Sequence, residues 1–271
     1  MVERGMLSLW RRFMTTVTDH MERKALRSVQ AIQVYNARMF DYARQVKADR
    51  RVVLRHVPPG VDSHRYTPLA GRRCRAESYV LCVARLDDER KNLDLLLRAF
   101  AEIPRPIRDS TWLLLAGATS PPDTLWLRAQ QLGIYDRIHV VTSPTTSTLI
   151  ELYQNAAVFA LTSNEEGFGM VIIEAMACGV PVVSTRSGGP EEIITDGYNG
   201  YLVALNDAYA FADRLTKLLA CDELIAQMGR AARDTVLTRY DTSIAGRALL
   251  STYEILLANC KDESGTTNPC G

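Results

Sequence analysis

Short apolar runs alternate with segments of helical period from about residue 51 onward. Between the runs, NLDLLLRAFAEI places apolar side chains on one helix face, and TLWLRAQQLG and STLIELYQNA repeat this pattern. Such alternation with short connections is typical of βαβ units and a parallel sheet. The pattern therefore predicts an α/β fold with a doubly wound, Rossmann-like parallel sheet. The runs are RVVLRHV, YVLCVA, WLLLAG, RIHVV, AAVFALT and PVVST; the first helix face comprises Leu93, Leu96, Leu97, Phe100 and Ile103.

The two ends of the chain follow different patterns. Long helical segments are predicted at roughly 207–220, 222–237 and 242–258. Before the repeating part, LSLWRRFMTTVTDHMERKALRS predicts a helix, AIQVY a strand and NARMFDYARQV a helix, followed by a strand leading to PPGVD. The tail KDESGTTNPCG is expected to be disordered. We expect the chain to divide into four segments, which are residues 1–59, 60–240, 241–259 and 260–271.

Net charge and cysteine content exclude several classes of protein. A formal net charge of +1 gives no support for a nucleic-acid binder. Residues 1–50 nevertheless carry +5, so the segment around Trp10, Arg11, Arg12 and Phe13 could form a weak contact with a membrane surface or an acidic partner, although a solvated helix face is the favoured explanation. The six cysteines include no close-spaced pair, which indicates neither a zinc site nor a disulfide framework and favours a cytoplasmic location.

The segment NEEGFGMVIIEAMAC predicts an anion site. It follows the apolar run AAVFALT, so its loop lies at the carboxyl end of a strand, where doubly wound folds bind ligands. The glycines let a ligand approach, and the N–H groups of Gly169, Met170 and Val171 would point at it from a helix N-terminus. Glu174 lies about 6 to 8 Å further along the helix, comparable with the distance from a diphosphate to its ribose. Glu166 and Glu174 can then address two ends of a nucleotide sugar; alternatively, each is a solvated charge.

A second group of charges supports the anion site. Arg85 ends the run YVLCVA, and Lys91 stands where the next helix begins, so both can close on one diphosphate. Asp87 and Asp88 could suggest a metal site, but adjacent acids among Arg and Lys are more often salt-bridged surface residues. No metal is predicted. The pair Gly188–Gly189 could bring backbone near the ligand or simply form a turn.

These motifs resemble the retaining glycosyltransferases of family four, which have the GT-B fold. The resemblance rests on EGFGMVIIEAMACGVPVVST with GGPEEIITDGYNGYLV, VARLDDERKNLDLLLRAF and VPPGVDSHRYTP, and it covers roughly residues 16–258. It implies transfer of a sugar from a nucleoside diphosphate donor to an acceptor hydroxyl with retention of configuration, without an essential metal or cofactor. Arg85 and Lys91 would hold the diphosphate, Glu166 the sugar hydroxyls and Glu174 the ribose.

The resemblance also implies roles for backbone groups. The amides of Phe168, Gly169, Met170 and Val171 would lie against sugar and phosphate. Loops near Gly117 and the end of RIHVVTS would contact the nucleobase. These contacts are largely to backbone, so the side chains do not identify the nucleotide.

One departure from the family concerns its acceptor-binding half. Residues 1–59 look like only the end of an N-terminal domain. In this family the final helix packs on that domain, so here it would have little to pack on and would leave an apolar patch exposed. Two interpretations stay open: a glycosyltransferase that is truncated or completed by a partner chain, and a non-catalytic nucleotide-sugar-binding module or subunit of a split enzyme. Neither the acceptor nor the donor sugar can be deduced.

Overall fold

The structure, a computed structural model, describes residues 18–26, 28–46, 52–69 and 78–264, with side chains described as far as residue 259. The contact predicted around Trp10 and Phe13, the start of the first predicted helix and the tail 265–271 lie outside the described residues. The chain divides into two compact units, Met1–Pro58 with Ala245–Gly271, and Pro59–Ile244. The first boundary lies one residue from the one expected at 59/60.

The smaller unit contains a parallel βαβ element. Residues 18–26 are helical (α1), and strands β1 (Ala31–Val34) and β2 (Val53–His56) pair in parallel around helix α2 (Ala37–Val46). Buried Ile32 and Val34 of β1 pack in a small core with Ala43 of α2. The predicted strand AIQVY and the helix NARMFDYARQV are confirmed.

The final helix, α11 (Thr242–Ser264), contacts this unit through its middle turns. The Arg55 guanidinium donates to the Ser251 hydroxyl at 3.0 Å, and Thr252 is buried. Leu250 and Leu257, by contrast, are 63% and 64% exposed. The helix therefore uses one narrow face for packing and leaves large apolar side chains in solvent, as the sequence predicts.

The larger unit is built on a six-stranded parallel sheet. The register aligns the strands so that all their carboxyl ends meet at one edge. The strands are β3 (Ser78–Val83), β4 (Thr111–Gly117), β5 (Ile138–Thr142), β6 (Val158–Leu161), β7 (Val182–Thr185) and β8 (Gly200–Val203). The helices are α3 (Leu93–Glu102), α4 (Arg105–Arg108), α5 (Asp123–Gln131), α6 (Thr146–Asn155), α7 (Met170–Ala177), α8 (Pro190–Ile193), α9 (Ala208–Leu219) and α10 (Asp222–Thr235).

The strand order of this sheet is β5-β4-β3-β6-β7-β8. The chain first builds outward through β3, β4 and β5 and then returns to build β6, β7 and β8 on the other side. The order reverses between β3 and β6, and such a topological switch point opens a ligand crevice at the carboxyl ends of the strands. The predicted doubly wound, Rossmann-like sheet is confirmed.

Two helical layers cover the sheet and form its core. Helices α3, α5 and α9 pack on one face, and α6, α7 and α10 pack on the other. The predicted inner face of α3 is confirmed, since Leu93, Leu96, Leu97, Phe100 and Ile103 are all buried. Among the described residues, no helix is both long enough and apolar enough to cross a bilayer.

The larger unit begins and ends side by side. The Val61 N–H donates to the Tyr240 carbonyl at 2.8 Å, and the Thr242 N–H donates to the Val61 carbonyl at 3.1 Å. A Cβ at Gly60 would come within 2.8 Å of the Thr242 Cα, so glycine allows this close approach. The Asp241 carboxylate accepts from the Ser63 hydroxyl at 2.6 Å, which ties the same two segments together.

Two features differ from the prediction. Strand β8 has no counterpart among the predicted strands, because its first residue, Gly200, is also the last residue of the turn-forming sequence DGYNG. Helix α11 continues to Ser264, whereas the sequence placed its end at 259 and a disordered tail from 260. The residues KDES contain no helix breaker, and the first glycine after them is Gly265.

Candidate functional site

The loops that follow β3 and β6 are joined at the switch point of the sheet. The Asn164 N–H donates to the Arg90 carbonyl at 2.7 Å, and the buried Thr162 hydroxyl donates to the Lys91 carbonyl at 3.0 Å. The Asn92 side-chain amide donates to Asn164 at 2.9 Å. These bonds fix the backbone around Lys91 against the loop that carries Glu166.

Lys91 and Glu166 form an ion pair between these loops. Lys91 Nζ lies 2.8 Å from Glu166 Oε2, and the two side chains are 16% and 15% exposed. The Ser163 hydroxyl donates to the same carboxylate oxygen at 3.4 Å. When a ligand binds, the ammonium group of such a pair can bind a phosphate, and the carboxylate can bind hydroxyl groups of the same ligand.

Arg85 is more exposed than Lys91 and has a different partner. Its guanidinium lies 2.9 Å from Asp88 Oδ2, and Arg90 lies 2.7 Å from the same oxygen. The bond from Arg90 holds the pKa of Asp88 well below the usual range of a carboxyl group, and the neighbouring Arg85 adds to the effect. Asp88 is therefore a salt-bridged carboxylate, as the sequence favours, and Asp87 accepts from the Thr119 hydroxyl at 2.8 Å.

Helix α7 begins at the sequence position that the glycines predict. Gly169 caps it with φ 102°, a left-handed conformation that favours glycine. Within the described part of the chain, nothing accepts a hydrogen bond from the N–H groups of Gly169, Met170 or Val171. The Phe168 side chain is buried and packs edge-on against Tyr240 at 5.8 Å, so only its backbone can face a ligand. The helix N-terminus thus offers free donors to an anion.

The pair Gly188–Gly189 lets the loop after β7 lie directly on the Glu166 loop. The Glu166 N–H donates to the Ser187 carbonyl at 2.9 Å, and the Gly189 N–H donates to the Glu166 carbonyl at 2.8 Å. A Cβ at Gly189 would collide with the Phe168 carbonyl. These glycines therefore support the backbone on both sides of Glu166.

Glu174 lies one turn inside α7 and is half-buried. Its Oε2 accepts from the Tyr153 hydroxyl at 2.8 Å. Burial raises the pKa of Glu174 above its ordinary value, while the bond from Tyr153 opposes that rise. The sequence treated Tyr153 only as part of the apolar face of a helix, and no motif marks it as a site residue.

Gly117 ends β4 at the same edge of the sheet. A Cβ there would collide with the Ala84 carbonyl, so the close crossing of two backbones explains this glycine by itself. Ser143, at the end of β5, donates from its hydroxyl to the Ala118 carbonyl at 3.0 Å and from its N–H to the Gly117 carbonyl at 2.7 Å. The two loops predicted to hold a nucleobase are therefore neighbours.

A cavity of about 390 Å³ opens nearby between α3 and α5, but its chemistry does not suit an anion. Asp87, Asp88, Glu89 and Asp94 all line it, and Arg128 is its one basic lining residue. Asp88 and Asp94 pair with arginines, but Asp87 and Glu89 add negative charge that disfavours a diphosphate. Lys91 and the N–H groups at the start of α7, which are unpaired among the described residues, suit an anion better than this cavity does.

The six-stranded parallel sheet with its switch point places this chain among the doubly wound α/β proteins. Residues 75–235 match the family described as "Glycosyl transferases group 1", and this chain belongs to that family. Its GT-B type, Rossmann-like fold agrees with the sequence prediction.

Relatives and a solved structure extend this assignment. The chain is 35% identical over 211 residues to a protein of Mycolicibacterium smegmatis named GDP-mannose-dependent alpha-(1-6)-phosphatidylinositol monomannoside mannosyltransferase, covering 72% of this chain and 55% of that protein. It is 33% identical over 219 residues to D-inositol 3-phosphate glycosyltransferase of Saccharomonospora viridis, covering 76% and 51%. Sucrose-phosphate synthase from Thermosynechococcus elongatus superposes with a TM-score of 0.77 at 26% identity, covering 88% and 61%. The chain spans about half the length of these curated relatives.

Proposed function

We propose that this chain supplies the donor-binding half of a retaining glycosyltransferase of family four. The activity would transfer a sugar from a nucleoside diphosphate sugar to an acceptor hydroxyl with retention of configuration. The observation that carries the proposal is the Lys91–Glu166 ion pair beside the N-terminus of α7, at the switch point of the sheet. A diphosphate needs cations and N–H donors, and a sugar needs a carboxylate, and these groups occur together there.

The chemistry would depend on charge stabilisation at the leaving group. When the bond between the anomeric carbon and phosphate breaks, negative charge grows on the phosphate oxygen. Lys91, Arg85 and the N–H groups of Gly169 and Met170 would stabilise that charge most strongly in the transition state. The departing phosphate oxygen would take the proton of the acceptor hydroxyl as the new glycosidic bond forms on the same face.

Glu166 and Glu174 would bind different parts of the donor. Glu166 pairs with Lys91, so its carboxylate would lie where phosphate and sugar meet. Glu174 lies further along α7 and would accept from the ribose hydroxyls. The loops after Gly117 and Thr142 would lie against the nucleobase. This division predicts that loss of Glu174 weakens binding of any nucleoside diphosphate, whereas loss of Glu166 affects mainly the nucleotide sugar.

The acceptor side would come from another segment or a partner chain. Leu249, Leu250, Tyr253 and Leu257 of α11 are exposed, and such an apolar surface is typical of an interaction site. If no such half is present, the chain would act as a nucleotide-sugar-binding module or as one subunit of a split enzyme.

Calorimetric titration with uridine, guanosine and adenosine diphosphates tests the donor site. We expect one of them to bind, and GDP-mannose is the first donor to try because a relative is named as dependent on it. Absence of binding by all three nucleotides would contradict the proposal.

Radiolabelled transfer to an acceptor, combined with sedimentation, separates the two candidates. We expect the chain by itself to self-associate and to transfer no sugar. A monodisperse monomer that glycosylates an acceptor would show instead that the chain is a complete enzyme.

A further inference from the structure

Tyr153 makes a contact that packing alone does not require. Its side chain is completely buried on α6, and its hydroxyl donates to Glu174 Oε2 at 2.8 Å. A buried hydroxyl needs a partner, and two other tyrosines of the unit use backbone carbonyls. Tyr79 donates to the Leu152 carbonyl at 2.7 Å, and Tyr240 donates to the Glu192 carbonyl at 2.9 Å. Tyr153 instead donates to a carboxylate at the candidate site.

We propose that Tyr153 is a positioning residue that holds the Glu174 carboxylate for a ribose diol. The inference rests on the proposed function, because Glu174 must contact the ligand for Tyr153 to matter. The hydroxyl occupies one lone pair of Oε2, and no described residue donates to Oε1. Oε1 is therefore the oxygen that remains for a ligand hydroxyl.

The surroundings of Tyr153 make the position of its hydroxyl nearly fixed. Its ring packs edge-on against Tyr66 at 6.2 Å and lies tilted against Phe159 at 5.7 Å. Both neighbours are buried core residues. A ring enclosed in this way cannot follow a carboxylate that moves, so the carboxylate must take its orientation from the ring.

The groups that face Glu174 also affect its protonation. Tyr66 and Tyr153 face it from outside α7, and Cys178 follows it on the chain, with Arg233 of α10 close to Cys178. Burial raises the pKa of Glu174, and the bond from Tyr153 is the cause that lowers it. Removing the hydroxyl would therefore favour the protonated carboxyl, which is a poorer acceptor for a diol.

The test compares ribose with dideoxyribose in Tyr153→Phe. The wild-type chain and the variant are titrated with whichever of uridine, guanosine or adenosine diphosphate binds and with its 2′,3′-dideoxy form. The ratio of the two affinities measures the contribution of the ribose diol to binding, because the phosphates titrate identically in both ligands. We expect the ratio to fall by about three- to tenfold in Tyr153→Phe, which is less than the loss of a direct hydrogen bond to a charged group would give, because Glu174 itself remains to contact the ligand. On acidification, the preference for ribose over dideoxyribose should be half lost at a higher pH in Tyr153→Phe than in the wild-type chain.

Two further variants make the result decisive. Tyr79→Phe removes a hydroxyl that donates to the Leu152 carbonyl of α6, the helix that carries Tyr153, without contacting Glu174. This variant should leave the ratio unchanged. Glu174→Gln should abolish most of the discrimination. Thermal unfolding of each variant shows whether it is folded at the titration temperature.

The outcomes distinguish this inference from the proposed function. An unchanged ratio and pH profile in Tyr153→Phe, with a reduced ratio in Glu174→Gln, would overturn the role of Tyr153 alone. An equal loss in Tyr79→Phe would show a general packing effect and would also overturn it. No nucleotide binding by the wild-type chain would reject the donor site, and this inference with it.

Discussion

The ammonium group of Lys91 lies 2.8 Å from the carboxylate of Glu166, although the two residues belong to loops 75 positions apart. The pair joins the cation expected to bind phosphate to the acid expected to bind sugar. A diphosphate sugar bound as proposed would therefore replace a contact that the protein already makes. Each side chain is largely buried, and the pair leaves neither charge uncompensated.

The first prediction concerns Glu166→Gln. The change leaves Lys91 without its partner, so we expect a nucleoside diphosphate to bind equally well or several-fold more tightly, while sugar transfer by the assembled enzyme falls. Calorimetry with the bare nucleotide measures the first effect. Glu165→Gln is a matched control, because Glu165 is an exposed neighbour and the change in net charge is the same. Weaker nucleotide binding in Glu166→Gln than in Glu165→Gln would contradict this prediction.

The second prediction concerns the two cations. We expect Lys91→Ala and Arg85→Ala each to weaken nucleoside diphosphate binding by about 10- to 100-fold, since each removes a charged contact to phosphate. Arg98→Ala serves as control, because Arg98 pairs with Asp94 further along α3 and should not affect binding. Unchanged affinity in both test variants would show that the diphosphate binds elsewhere.

The third prediction concerns Gly189→Ala. Gly189 has φ −61°, which any residue can adopt, so the cost of the change is purely steric. The new methyl group would collide with the Phe168 carbonyl and displace the Glu166 loop. We expect a loss of about 1 to 3 kcal/mol in the free energy of unfolding, together with weaker nucleotide binding. Gly167→Ala should cost much less in denaturant unfolding, since a Cβ there meets nothing within 4 Å; equal losses would refute the steric explanation.

The fourth prediction concerns the pH dependence of stability. Burial raises the pKa of Glu174 in the folded chain, so the folded state holds this proton more tightly than the unfolded state does. Stability should then fall as pH rises from the ordinary value of a glutamate through the raised value. We expect Glu174→Gln to unfold at a higher temperature than the wild type at pH 7, with the difference vanishing near pH 4. Calorimetric scans at both pH values measure it; a variant that is less stable at pH 7 would show that the ionised carboxylate stabilises the fold.

The sequence predicted the architecture because the periodic pattern is strong in the buried elements. Leu93 and Phe100 face the core as expected, and Gly169 begins α7 where the glycines indicate. The contacts between distant loops could not be predicted, because no local pattern records which side chains meet across two strands. Lys91 was assigned to a diphosphate together with Arg85, yet in the structure it bonds to Glu166 and Arg85 bonds to Asp88.

Two other features left no readable signal. Tyr153 fits the apolar period of its helix, so the sequence gives no reason to separate its hydroxyl from its ring. Strand β8 begins with the glycine that ends the turn-forming sequence DGYNG, and its four residues are all buried, so neither its start nor an alternating pattern is visible. Both became evident only once the tertiary packing was known.

The pairing of the segments at Val61 and Asp241 bears on how such domains can be exchanged between proteins during evolution. The first and last segments of the larger unit are hydrogen-bonded to each other, so the chain enters and leaves this unit at neighbouring points. A gene segment encoding residues 59–244 could be moved into another protein without stretching either junction, since the two ends need only a short gap in the host. Exchange of whole donor modules between enzymes with different acceptors would then require new sequence at only two places.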